Sequence, residues 1–132
     1  MPNIKLNGKD IEVDGKDKLL KICLDKGAFV PHYCWHPGLT VAGNCRICMV
    51  EVVGRGTQIS CNMPCADGMN IRTDSDAAKK ARADVMELLL INHPLDCPIC
   101  DQAGECKLQD FAYEFGWPQS RSPVEKTHHR KN

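Results

Sequence analysis

The sequence predicts an α+β protein of two small modules: a mixed sheet crossed by one helix over residues 1–74, and a helical segment over residues 75–116. A basic tail or linker follows over 117–132. Three observations carry this reading. Alternating apolar and polar residues open the chain around an Asn-Gly pair, helical apolar spacing follows Lys18 and again Ser75, and most of the nine cysteines among the 132 residues fall into two tight groups.

From Ile4 to Val13 apolar and polar residues alternate on either side of Asn7-Gly8. Both turn residues tolerate positive φ, so a two-residue hairpin is expected. Between Lys18 and Lys26, residues Leu19, Leu20, Ile22, Cys23 and Leu24 lie on good helix-forming sequence, with Asp17 placed to cap the start and Gly27 to stop it. Cys23 reads as a small buried hydrophobe of this helix. Ile47 to Val53 reads as a buried strand closed by Gly54-Arg55-Gly56, and Gln58 to Cys61 and Met69 to Thr73 as two more, with turns at Pro64 and Asp67-Gly68. Ser75 and Asp76 are placed to cap a second helix over Ala77 to Asn92, ending before Pro94. Ala78, Ala81, Val85, Leu88, Leu89 and Asn92 share one face of it, while Lys79, Lys80, Arg82, Asp84 and Glu87 lie mostly elsewhere.

The totals narrow the function classes. Seventeen basic and seventeen acidic residues give no net charge, which argues against the broad basic surface of a nucleic-acid binder. The sequence lacks an apolar run of about 18 residues, and Met1 to Lys5 lack the layout of a secretory signal. These features place the protein in a reducing, cytosol-like compartment, where clustered cysteines are metal ligands rather than disulfide partners. A chain this short buries a limited core, and metal staples suit its size.

The first ligand group is Cys34, Cys45 and Cys48, in a glycine-bearing loop that leads into the apolar strand. Cys61 completes Cys-x10-Cys-x2-Cys-x12-Cys, and Cys65, four residues further on, is a rival for the fourth place. Four thiolates suit either zinc or an iron–sulfur cluster. One loop cysteine, a close pair and a remote fourth is the order of plant-type [2Fe–2S] sites, although those have four residues where this chain has ten. Gly43 lets backbone N–H groups approach bound sulfide. The second group is His93, Cys97, Cys100 and Cys106, or His-x3-Cys-x2-Cys-x5-Cys. Three thiolates and an imidazole fit zinc or a [4Fe–4S] cubane. Pro94 and Pro98 stiffen this loop and Gly104 lets it fold close. In a cubane, an imidazole in place of a thiolate leaves the cluster one unit less negative and raises its potential.

At these residues the sequence resembles the N-terminal iron–sulfur region of the large subunit of NADH:quinone oxidoreductase (complex I), a region shared with NAD-linked and iron-only hydrogenases. The matching blocks are Pro31-His-Tyr-Cys34-Trp-His-Pro-Gly on to Asn44-Cys-Arg-Ile-Cys-Met-Val-Glu51, then Ser60-Cys-Asn-Met-Pro64, Asp67-Gly-Met69, and Leu89-Leu-Ile-Asn-His-Pro-Leu-Asp-Cys-Pro-Ile-Cys100 on to Asp110. The resemblance implies a ferredoxin-like β-grasp domain with one [2Fe–2S] cluster on Cys34, Cys45, Cys48 and Cys61. It implies a helical segment with one [4Fe–4S] cluster on His93, Cys97, Cys100 and Cys106, and no catalytic residues. It further implies an oxidoreductase's electron-transfer subunit, passing single electrons from a flavin- and NADH-binding subunit through other iron–sulfur subunits toward quinone. Such a subunit is peripheral, on the cytoplasmic or matrix-like side of an energy-transducing membrane, and meets the membrane only through its complex. Electron transfer within an NAD-linked hydrogenase or formate dehydrogenase is the alternative, and a zinc-stapled interaction module is the alternative of another class. The basic tail and its pair His128-His129 read as a linker or a disordered end rather than a further site.

Overall fold

The computed structural model describes residues 1–117 and 120–128. Two strands, β1 (Asn3–Leu6) and β2 (Lys9–Glu12), form the expected hairpin. Asn7 and Gly8 turn it with φ of 50° and 85°, the double positive φ that matches the twist of the flanking strands. Helix α1 (Leu19–Asp25) follows and buries Leu19, Leu20, Ile22 and Cys23. The expected Asp17 cap is not formed. Asp17 instead holds Lys21 Nζ at 2.9 Å, while the first helical amides, Leu19 and Leu20, donate to the carbonyls of Met63 and Ser60 at 2.9 and 3.0 Å. The orphan donors of the helix start are thus satisfied by backbone some forty residues away.

Strands β3 (Met49–Val52), β4 (Gly56–Ile59) and β5 (Asn70–Arg72) complete a five-stranded sheet in the order β2-β1-β5-β3-β4. β1 and β5 run parallel and every other neighbour antiparallel. Ile4, Leu6, Val50, Val52 and Ile71 point from the sheet into a core shared with α1, Val30, Cys48, Cys61 and Cys65. The turn residue Asn7 also reaches the far end of β5, where its amide gives and takes hydrogen bonds with Thr73 at 2.8 and 2.9 Å.

The first compact unit is Met1–Arg82 and the second Ala83–Asn132. Helix α2 (Asp76–Leu90) gives its opening turns to the first and the remainder to the second. Its buried positions are Ala78, Arg82, Ala83 and Met86, whereas Leu88 is 68% exposed. The buried stripe therefore differs from the leucine face that the apolar residues define, because the guanidinium of Arg82 finds acceptors inside the first unit: Nε donates to Met49 O at 2.9 Å and Nη2 to Thr73 O. The second unit continues with a 3-10 turn at Cys97–Ile99 and helix α3 (Lys107–Phe115), where Phe111 and Phe115 meet edge to face at 5.8 Å. The described part of the tail lies along α2 and the segment after it. Arg121 makes two bonds of 2.8 Å to Glu87, Thr127 N donates to Asn92 O, and His128 Nδ1 lies 2.9 Å from Asp96. His129 falls outside the described residues.

Candidate metal centres

The four cysteines of the first group come together as two pairs. Cys34 and Cys45 sit in the loop that precedes β3 and are half-buried, whereas Cys48, one residue before β3, and Cys61, two residues beyond β4, are buried. The ladder sets the second pair. Met49 faces Ile59 in the β3–β4 register, and one step further Ser60 donates to the Cys48 carbonyl from both its amide (3.0 Å) and its hydroxyl (2.8 Å). Ser60 is wholly buried. Cys61 follows Ser60 directly and is thereby brought to Cys48.

Electrostatics differ between the pairs. Burial pushes the Cys34 thiol up, but hydrogen bonds from the amide and thiol of Cys45 and the amides of Asn44 and Gly43 outweigh it and hold the group below its ordinary value. Three successive N–H groups around one sulfur form an anion-binding nest. Gly43 at φ 67° and Arg46 at φ 60° shape this part of the loop. Cys61 is the opposite case: burial first, then the charge of Cys48 and the hydrogen bond to it, with smaller effects of Cys34 and Cys45, push it up to about 12. Cys61 thus feels the other three thiols. Cys65 is elsewhere. It is 8% exposed within the apolar core, is raised by burial and by Asp17, and has Cys23 as its thiol neighbour.

The donor set suits an iron–sulfur group, with four thiols, backbone N–H groups aimed at sulfur, and one side closed by core. Among the described residues no group of three or more His, Cys or carboxylate side chains is gathered tightly enough for a single metal ion.

The second group lies between α2 and α3. His93 follows α2, its amide donating to Leu90 O at 3.2 Å, and is exposed. Cys97 opens the 3-10 turn, Cys100 closes it with its amide on Cys97 O at 3.2 Å, and Cys106 stands at the N-terminal cap of α3 without a side-chain capping bond. Gly104 donates to Gln109 Oε1 at 3.1 Å, folding the intervening loop onto α3. One imidazole and three thiols on so short a stretch suit a cubane, whose outer ligands stand farther apart than those of a single ion. Arg82 is the residue whose role the sequence pattern hides. Its spacing of four from both Ala78 and Met86 is the available signal, masked by the charge.

A small mixed sheet with convergent thiols on its loop and strand ends is a framework suited to a thiolate-ligated metal centre. Residues 2–76 match the family described as the 2Fe-2S iron-sulfur cluster binding domain, and residues 82–121 match the NADH-ubiquinone oxidoreductase-G iron-sulfur binding region. The chain belongs to the 2Fe-2S cluster binding family and binds iron–sulfur clusters. It is 49% identical over 117 residues to the NADH-quinone oxidoreductase subunit of Rickettsia typhi that is designated G, covering 88% of this chain and 17% of that protein. It is 46% identical over 122 residues to the NADH-ubiquinone oxidoreductase 75 kDa subunit of Reclinomonas americana, covering 92% and 18% respectively. A crystal structure of NAD+-reducing [NiFe]-hydrogenase in the H2-reduced state superposes with a TM-score of 0.82 at 29% identity, over 99% of this chain and 55% of that one. The chain thus spans under a fifth of the length of these two curated relatives.

Proposed function

We propose that this chain is a one-electron relay within an NADH-oxidising respiratory complex, with one [2Fe–2S] cluster on Cys34, Cys45, Cys48 and Cys61 and one [4Fe–4S] cluster on His93, Cys97, Cys100 and Cys106. When bound, such clusters supply reversible one-electron redox chemistry. The observation that carries the reading is the arrangement of the first four thiols as two hydrogen-bonded pairs, Cys45 to Cys34 and Cys61 to Cys48. A structural zinc ion asks four ligands to surround one centre; two pairs suit two irons. The nest of Gly43, Asn44 and Cys45 amides holds negative charge on sulfur, and Ser60 fixes the Cys48 backbone on the buried side.

Relatives that are NADH-quinone oxidoreductase subunits support a flavin-bearing, NADH-binding partner and further iron–sulfur subunits. No helix among the described residues is long and apolar enough to cross a membrane. On this reading the chain is peripheral, on the cytoplasmic or matrix-like side, and reaches the membrane through its complex. Its working parts are a sheet module over 1–74 and a helical module over 75–116. The hydrogenase superposition favours a second reading, an electron-transfer role in an NAD-linked hydrogenase, but at 29% identity it ranks behind the 49% relative.

Anaerobically reconstituted protein reduced with dithionite tests the proposal. Two EPR signals are expected, one binuclear and one cubane. Cys61→Ser should abolish the binuclear signal and Cys65→Ser should leave it. A colourless, EPR-silent protein with stoichiometric zinc would overturn the relay.

A further inference from the structure

Arg82 is 3% exposed, an unusual location for a guanidinium. Its anchors explain the position. β5 pairs with β3 through Glu51↔Arg72 and Val52↔Ile71 and then stops, so Met49 lies beyond the end of that pairing. Arg82 Nε takes up the Met49 carbonyl at 2.9 Å, and Nη2 takes up Thr73 O just past the end of β5. The guanidinium thus ties the residue after β5 to the first residue of β3, one position from Cys48, whose own carbonyl is held by Ser60.

We infer that Arg82 is a positioning and tuning residue of the binuclear centre: its fixed positive charge, held by the carbonyls of Met49, the neighbour of Cys48, and Thr73, stabilises the reduced site and raises its potential. The inference rests on the assignment of Cys48 as a cluster ligand. Reduction by one electron adds one negative charge to the site, and a buried cation favours that state because little solvent lies between them. The charge is dependable, since arginine stays protonated at any working pH. Of the groups that act on its charge, the exposed carboxylate of Asp74 comes first, followed by Cys23 and then Cys48. Asp74 is exposed and so screened by solvent, whereas the guanidinium is buried with Cys48.

Redox titration of the binuclear EPR signal in the anaerobically reconstituted full chain tests this. Arg82→Met removes the charge and both donors, Arg82→Gln removes the charge but keeps an amide donor, and Arg82→Lys keeps the charge with poorer geometry. The two uncharged variants should titrate at lower potential. The expected fall is at least tenfold in the reduced-to-oxidised ratio at fixed poise, about 59 mV for a one-electron couple. Arg82→Lys should stay near the parent potential even where its thermal stability drops. Because Arg82→Met also removes the donor to the buried Thr73 carbonyl and the part-buried Met49 carbonyl, the comparison of Gln with Lys decides the matter where Met fails to fold. Equal potentials for Gln, Lys and parent would overturn the tuning role and leave Arg82 as a structural tie. Loss of the binuclear signal from the parent protein itself would instead refute the cluster assignment.

Discussion

Cys23 shows how much a single thiol can reveal about its surroundings. It is wholly buried on α1 and pushed up to about 12, by burial first and then by Cys65, against an opposing effect of Arg82. In the unfolded chain the thiol loses its proton near 9.0, whereas in the folded chain it holds the proton to about 12. Between those values deprotonation favours the unfolded chain, so stability is full below pH 9 and falls as pH rises, by up to about 1.4 kcal/mol per pH unit from this group. Urea titrations at stepped pH should show that slope in the parent protein and a shallower one in Cys23→Ala. Identical slopes would mean that Cys23 is wetter than it looks. The burial of Cys23 was legible from its place in an apolar helical group. The setting of Cys65 was not, because a cysteine four residues from Cys61 is equally well placed by spacing, and only the ladder from Met49 to Ser60 fixes which thiol reaches Cys48.

Elements differ in how plainly the sequence announces them, and the difference follows where their hydrogen bonds go. The hairpin was legible because Asn7-Gly8 decides it locally. The cap of α1 was not, since its acceptors are the carbonyls of Ser60 and Met63, and neither was the buried face of α2, because Arg82 is charged. The loop of Cys34 and Cys45 belongs with the first kind. Gly43 has φ 67°, and an added Cβ would meet nothing closer than Ile59 Cδ1 at 3.9 Å. The obstacle to a side chain is therefore backbone conformation, worth roughly 1–2 kcal/mol, rather than space. Gly43→Ala should lower thermal stability by about that amount and, by tilting the amides around Cys34, speed release of iron to a chelator under air. Unchanged release kinetics would show that the nest does not depend on this residue. The Cys97–Cys106 stretch was legible only as a ligand list. Its conformation rests on local bonds such as Gly104 N to Gln109 Oε1, which motif spacing does not encode.

The whole molecule divides unevenly in what stabilises it. The first unit has a continuous apolar core on its sheet, whereas the described residues of the second bury only Ala83, Met86 and Phe111 among apolar side chains and leave Leu95, Ile99 and Tyr113 exposed. A unit with so thin a core relies on bound metal for its fold. Removing iron anaerobically should therefore abolish amide protection over 93–116 while the β1, β3 and β5 amides stay protected, as hydrogen exchange would report; earlier loss in the sheet would contradict this ordering. The parallel pairing of β1 with β5 carries a consequence in time. A ribosome has to deliver Arg72 before β1 gains that neighbour, and Cys34 leaves it roughly 40 residues sooner. At ~5–20 residues per second the nascent loop spends on the order of 2–8 s without its sheet. During that interval its thiols are open to oxidants and stray copper or zinc, so iron delivery has to follow sheet closure or the growing chain has to be shielded until then.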